Sequence, residues 1–136
     1  LLFNGNAEEA FNFYKSVLGG RFVYLLRSGF LSSSKPMSTE EKNKIMHISL
    51  ITPDDIILTG SDFLILNGEA FMPGNNFFIS LSTDSQEKAA EWFNGLSGGG
   101  KIITPNLKSP WDGGSMGMVT DQFGIRWMIS YREKKE

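Results

Sequence analysis

Residues 7–23 read AEEAFNFYKSVLGGRFV, and this stretch decides the fold. Ala7, Ala10, Phe11, Tyr14, Val17 and Leu18 recur at spacings of three and four. That spacing puts them on one stripe of an amphipathic helix, which must be buried against something. Asn6, with Glu9 three residues on, reads as the cap pair that opens the helix. Gly19-Gly20 permits the left-handed backbone that ends it. Arg21-Phe22-Val23 then begins a strand rich in aromatic and β-branched residues.

The same plan returns at residues 86–103, QEKAAEWFNGLSGGGKII. Asp84 with Glu87 forms the cap pair, Ala89, Ala90, Phe93 and Leu96 form the stripe, and Gly98-Gly99-Gly100 forms the stop. Alignment sets Ala10 on Ala89, Phe13 on Trp92, Tyr14 on Phe93 and Val17 on Leu96. After one inserted glycine, Arg21 falls on Lys101. The matched cap, aromatic pair, glycine stop and basic strand start identify an internal repeat.

Outward from the two helices, the chain reads as short strands. Leu1–Asn4 looks like the end of a strand that begins upstream, because the sequence does not start with Met. Ser28–Asn43 has no period and reads as a loop, either a lid carrying Phe30, Leu31 and Met37 or an exposed connection. Ile45–Ile51 alternates, with Ile45, His47, Ser49 and Ile51 on one face and Met46, Ile48 and Leu50 on the other. Ile56–Gly60 is the next strand, and 63–74 connects the halves. Phe77–Ser82 alternates Phe77, Ile79 and Leu81 with Phe78, Ser80 and Ser82. After the second helix come Lys101–Thr104, a turn-rich loop over 106–115 with Trp111, then Met116–Thr120 and Ile125–Tyr131. The expected fold class is therefore α+β, a single domain of two tandem βαβββ modules, 1–66 and 75–136. Their curved half-sheets are expected to enclose a cavity.

A length of 136 residues suits one domain. The formal charge of −2, with no basic run before Arg132–Lys135, argues against a nucleic-acid partner. No apolar run approaches a membrane span and no signal peptide is visible, so no membrane partner is expected. The absence of cysteine rules out disulfides and thiol chemistry and fits a reducing, cytoplasmic compartment. Open sheet edges lead us to expect a homodimer.

Phe13-Tyr14-x-x-Val17-Leu18-Gly19, the paired βαβββ order and the turn Asp121-x-x-Gly124 resemble the vicinal oxygen chelate superfamily of glyoxalase I, extradiol dioxygenases and bleomycin and fosfomycin resistance proteins. FNGNAEEAFNFY at the start, Met46-His47 and the run from Thr120 to Trp127, TDQFGIRW, resemble its PhnB-like branch. Members of that branch often carry the label 3-demethylubiquinone-9 3-methyltransferase. The resemblance implies a divalent metal held by His, Glu or Gln from four strands. It carries those positions to Met128, to the neighbourhood of Thr59, to Phe78 and to a residue before Leu1. A thioether, a hydroxyl and a phenyl ring are poor donors for such an ion, so no metal and no cofactor are expected.

His47, the single histidine, is either held by hydrogen bonds within its sheet or turned into the cavity as a base or hydrogen-bond partner. Arg126 shares a face with Met128 and Ser130 and either binds an anion or points to solvent. Trp111 either closes over a planar ligand or plugs a sheet edge. Asp121 and Asp62 read as turn residues that cap local backbone groups. The expected ligand-binding set is Phe3, His47, Ser49, Thr59, Phe78, Ser80, Trp111, Arg126 and Met128. The leading function is a small-molecule-binding glyoxalase-like protein without catalytic metal. The alternative is a metal-dependent lyase, isomerase or dioxygenase drawing ligands from Asp62, Glu69 or upstream residues. A methyltransferase is disfavoured, because a donor site calls for a glycine-rich turn from strand into helix, and Gly98–Gly100 runs out of a helix into a strand.

Overall fold

The computed structural model describes residues 1–30, 36–63, 69–108 and 113–134. They form two compact units, Leu1–Met72 and Pro73–Glu136. In the first, β1 (Leu2–Phe3) is followed by α1 (Ala7–Leu18), β2 (Arg21–Arg27), α2 (Thr39–Asn43), β3 (Ile45–Ile51) and β4 (Ile57–Asp62). In the second, β5 (Ile79–Thr83) is followed by α3 (Gln86–Ser97), β6 (Lys101–Lys108), β7 (Ser115–Thr120) and β8 (Arg126–Tyr131). The sheets are ordered β1-β4-β3-β2 and β5-β8-β7-β6, so each unit repeats the other strand for strand. The architecture is the α+β class expected.

The repeat extends to atomic detail. Thr52 Oγ1 accepts the N–H groups of Asp54 and Ile56 at 3.3 and 3.2 Å. Asp121 Oδ1 accepts those of Phe123 and Ile125 at 2.8 and 3.0 Å. Both turns close with a backbone bond from the first residue to the fifth, Thr52 to Ile56 and Asp121 to Ile125. A Cβ on Gly20 would collide with the Ile51 carbonyl, and one on Gly100 with that of Thr120. Val23 and Ile103 each stand as an extra residue at the same place in β2 and β6. These coincidences align Thr52 with Asp121 and therefore Thr59 with Met128, Ser49 with Met118 and His47 with Met116.

In α1 the expected stripe is buried at Ala7, Ala10, Phe11, Tyr14 and Leu18. In α3 the buried set is Ala89, Trp92 and Leu96, while Ala90 is exposed. Burial therefore matches Tyr14 to Trp92 and Leu18 to Leu96, one residue away from the alignment read from sequence. Trp92, larger than Phe93, takes the place under the helix, and the glycine stop is correspondingly longer.

Both cap pairs are also corrected. Asn6 makes no side-chain cap bond. The Ala7 N–H instead donates to Asp62 Oδ1 at 2.9 Å, from a residue 55 positions away. Ser85, not Asp84, caps α3, its Oγ accepting from Lys88 N–H at 3.2 Å. Asp84 pairs with Lys134 at 2.8 Å. Residues 39–43, read as loop, form α2, opened by a capping box in which Ser38 and Glu41 each satisfy the other's backbone N–H. Residues 106–108 belong to β6 rather than to a loop.

Candidate functional site

Each sheet has one face under its helix and one turned away. In the first unit Ile48 and Leu50 lie under α1, fully buried. The other face follows from the register, since residues opposite each other across an antiparallel ladder point the same way. Ser49 stands opposite Tyr24 on β2 and Thr59 on β4. Val23 is the extra residue between Phe22 and Tyr24, and this bulge turns Tyr24 to the open side. His47 Nε2 lies 2.9 Å from Ser49 Oγ, with the donor set by the imidazole tautomer. The Tyr24 ring meets His47 at 5.3 Å between centroids and 66° between planes. The result is a polar cluster on the open face, Tyr24, His47, Ser49 and Thr59, with Ser49 only 7% exposed. The sequence expectation that His47 and Ser49 share the face opposite the helix is met within this unit.

Two expectations about that face are corrected. Phe3 is 2% exposed, and its ring contacts Phe11 at 6.2 Å and Tyr14 at 6.4 Å, so it is part of the core beneath α1. The pleat gives the open side to Leu2 instead, which is 46% exposed. Ile45 also leaves the His47 face. Met46 is the extra residue of a second bulge, between Leu26 opposite His47 and Arg27 opposite Ile45, and Ile45 is buried as a result.

In the second unit Trp127, Ile129, Val119 and Leu81 are buried under α3. On the face away from it, Met128 lies beside Ser80 on β5 and opposite Met118 on β7. Met116 stands opposite Ser130, whose hydroxyl lies 2.8 Å from that of Ser82. At the start of β8 the Arg126 guanidinium stacks over the Phe78 ring, 4.3 Å from its centroid, and donates to the Asn75 carbonyl. Phe78 thus sits beside Arg126, and Ser80 is the β5 residue beside Met128. Trp111 lies outside the described residues.

The side chains at the expected ligand positions are set, one by one, against the divalent ion that the fold family implies. Thr59 offers one hydroxyl, Met128 one thioether, and Phe78 no donor at all. The Phe78 ring already carries a guanidinium, whose charge opposes a second cation. Asp62 is spent: its two oxygens accept the Ala7 and Ile45 N–H groups at 2.9 and 2.8 Å, on the helix side of the sheet. Glu69 is exposed. Among the described residues no three His, Cys, Asp or Glu converge. The donor set does not fit a divalent ion. The glycine run 98–100 leads out of α3 into β6, again unlike a strand-to-helix donor loop.

Asp121 binds more than its turn. Its Oδ2 accepts the Trp127 indole N–H at 2.8 Å, tying the loop to the core of the second unit. The spacing of six in sequence hides this contact, although a buried Trp calling for an acceptor is a general signal. Among the described residues no helix is long and apolar enough to cross a membrane.

Residues 1–130 match the family model described as 3-demethylubiquinone-9 3-methyltransferase. Protein YjdN of Escherichia coli (strain K12) is 30% identical over 136 residues, covering 96% of this chain and 90% of its own. The crystal structure of protein PA1353 from Pseudomonas aeruginosa is 35% identical with a TM-score of 0.82, covering 98% of this chain and 95% of that one. A putative 3-demethylubiquinone-9 3-methyltransferase, PhnB protein, from Bacillus cereus is 23% identical with a TM-score of 0.70, over 96% and 95% of the two chains. A glyoxylase/bleomycin resistance protein/dioxygenase domain from Frankia sp. EAN1pec is 12% identical with a TM-score of 0.65, over 97% and 93%. The last two likenesses are of fold.

Proposed function

Because this chain belongs to the 3-demethylubiquinone-9 3-methyltransferase family, in the PhnB-like branch of the glyoxalase/bleomycin resistance/dioxygenase superfamily, we propose that it binds a small organic molecule on its open sheet faces without a catalytic metal. One observation carries the reading. Thr59 and Met128, equivalent by the turn register, occupy the strand positions to which the superfamily resemblance assigns ligands, and both are poor ligands for a hard or borderline ion beside carboxylate oxygen or imidazole nitrogen. The neighbours of Met128 are a serine and a methionine; those of Thr59 are Ser49 and, through it, His47. Such faces gain affinity from apolar burial, while hydroxyls and an imidazole set orientation.

In the first unit His47, Ser49 and Thr59, and in the second Phe78, Ser80, Arg126 and Met128, are the residues assigned to binding. No general acid–base pair is assigned to them. A methyltransferase remains disfavoured, since among the described residues no glycine-rich strand-to-helix turn supports a donor site. A cytoplasmic homodimer is part of the proposal. The exposed Val23, Tyr24 and Leu25 on edge strand β2, and Ile102, Ile103 and Leu107 on edge strand β6, support pairing with a second copy.

The test is elemental analysis of the purified chain after supplementation with Zn, Ni, Mn and Fe, with melting followed with and without chelator. The expected result is substoichiometric metal and an unchanged melting temperature. One equivalent of metal per chain, with a melting temperature lowered by chelator, would overturn the reading in favour of the metal-dependent enzyme.

A further inference from the structure

The arginines at 27 and 126 are held differently. Arg27 makes a bidentate ion pair with Glu8, at 2.8 and 2.9 Å. Arg126 is half-buried and has no carboxylate partner among the described residues. Its guanidinium carbon lies over the Phe78 ring, 4.3 Å from the centroid, and the group gives one N–H to the Asn75 carbonyl. Ring and carbonyl together restrain the side chain, so part of its entropy is already spent before any ligand arrives. A partly desolvated, uncompensated and pre-oriented guanidinium suits a two-oxygen anion.

Thr120 stands opposite Arg126 on β7, and beyond it two thioethers make the face more apolar, with Ser80 at its β5 side. Met128 follows two residues along the same face of β8, about 7 Å away at strand rise. Met118 stands opposite Met128. Methionine thioethers adapt to irregular apolar ligands. About 13 Å from Arg126 at strand rise, the face turns polar again at the paired hydroxyls of Ser82 and Ser130.

We propose that Arg126, stacked on Phe78, anchors the carboxylate or phosphonate of a small organic acid whose apolar body, four to six carbons or one ring long, lies over Met128 and Met118. This rests on the small-molecule reading above and gives it a substrate class.

The experiment titrates the full chain, labelled with [13C-methyl]methionine, with hexanoate, hexylphosphonate, hexan-1-ol and inorganic phosphate. The Met118 and Met128 methyl resonances are followed by NMR. At least one of the two hexyl acids should bind about tenfold tighter than hexanol or more, and their ranking decides between carboxylate and phosphonate. Arg126→Gln should bring the acids down to the affinity of the alcohol and leave the alcohol unchanged. Arg126→Lys, which keeps the charge and loses the fork, should fall between, and it serves if the glutamine variant does not fold.

Equal binding of hexanol and both acids by the wild-type chain would overturn the anion anchor while leaving the apolar site standing. Acid selectivity that survives in both variants would do the same. Inorganic phosphate binding as tightly as hexylphosphonate would reduce the site to an anion hole and overturn the organic-acid class. If none of the four moved either methyl below about 10 mM, the small-molecule reading would fall, and the anchor with it.

Discussion

Replacing Asp62 with alanine should unfold the first unit long before it affects the second. Asp62 is 4% exposed and is the sole described acceptor for the N–H groups of both Ala7 and Ile45, residues themselves 0% and 1% exposed. One carboxylate thereby caps α1 and pins the first residue of β3. Hydrogen bonds to a charged group contribute about 1.5–3 kcal/mol each, and a buried donor left without a partner costs about 1–3 kcal/mol. Some water will enter the space vacated, so the two together should cost about 3–5 kcal/mol. At a urea slope of roughly 2 kcal/mol/M, the midpoint falls by about 1.5–2.5 M. Asp62→Asn keeps one acceptor and presents an NH₂ to the other N–H, and should lose about half of that. Urea denaturation followed by far-UV circular dichroism reads the midpoint. Amide hydrogen exchange at Ala7 and Ile45 reads the two bonds directly, and both amides should lose protection together. Asn6→Ala is the control, expected within about 0.5 kcal/mol of wild type, because Asn6 makes no cap bond. A midpoint for Asp62→Ala within about 0.3 M of wild type, or an Asn6→Ala loss as large, would refute the reasoning.

Two glycines with positive φ should respond unequally to alanine. Gly20→Ala, at φ 95° and against the Ile51 carbonyl, should cost more than about 3 kcal/mol. Gly124→Ala, at φ 85° with nothing within 4 Å of its Cβ, should cost only about 1 kcal/mol; equal midpoint shifts in urea would contradict the assignment. The Glu8–Arg27 pair should show a small, pH-dependent coupling. Its hydrogen bond to Arg27 holds the Glu8 carboxyl below the ordinary 4.5, so the stabilisation is present above that value and is lost as pH falls through the folded-state pKa. Because the two side chains are 31% and 46% exposed, the coupling stays below about 1 kcal/mol. A double-mutant cycle at neutral pH and again near pH 3 should find it and then lose it, and a coupling unchanged by acid would be inconsistent with an ion pair.

The helices, the repeat and the strand order were legible because they rest on periodicity, which packing enforced. The errors fall where one residue decides. Val23 and Met46 are single-residue bulges, and each reverses the face of everything beyond it. A strict alternation therefore carried Ile45 onto the wrong side. Phe3 was misplaced because a two-residue strand is too short to show its own phase, and an aromatic pair on α1 took it into the core. The capping of α1 was unreadable for another reason. Asp62 reaches Ala7 only after β4 has paired with β1, so the bond is a product of the fold rather than of the local sequence. Arg126 and Phe78, 48 positions apart in the numbering, came to one face by the parallel pairing of β5 with β8. Alternation grouped each with its strand neighbours, Arg126 with Met128 and Phe78 with Ser80, but only the register brings them together.

The repeat also bears on what the faces do. The two units keep the same turn, the same bulge and the same close glycine, which are the features a sheet of this shape needs. They differ at the open positions. His47, Ser49 and Thr59 of the first unit correspond to Met116, Met118 and Met128 of the second, and Ile57 corresponds to Arg126. Here one copy carries hydroxyls and an imidazole, while the other carries thioethers and a guanidinium. The turns and the first bulge are the same in both units, so at Thr59 and Met128 and at Ser49 and Met118 the inequality is in side-chain chemistry. The open faces of the two units therefore offer different chemistry, and whatever each binds is selected by its own side chains.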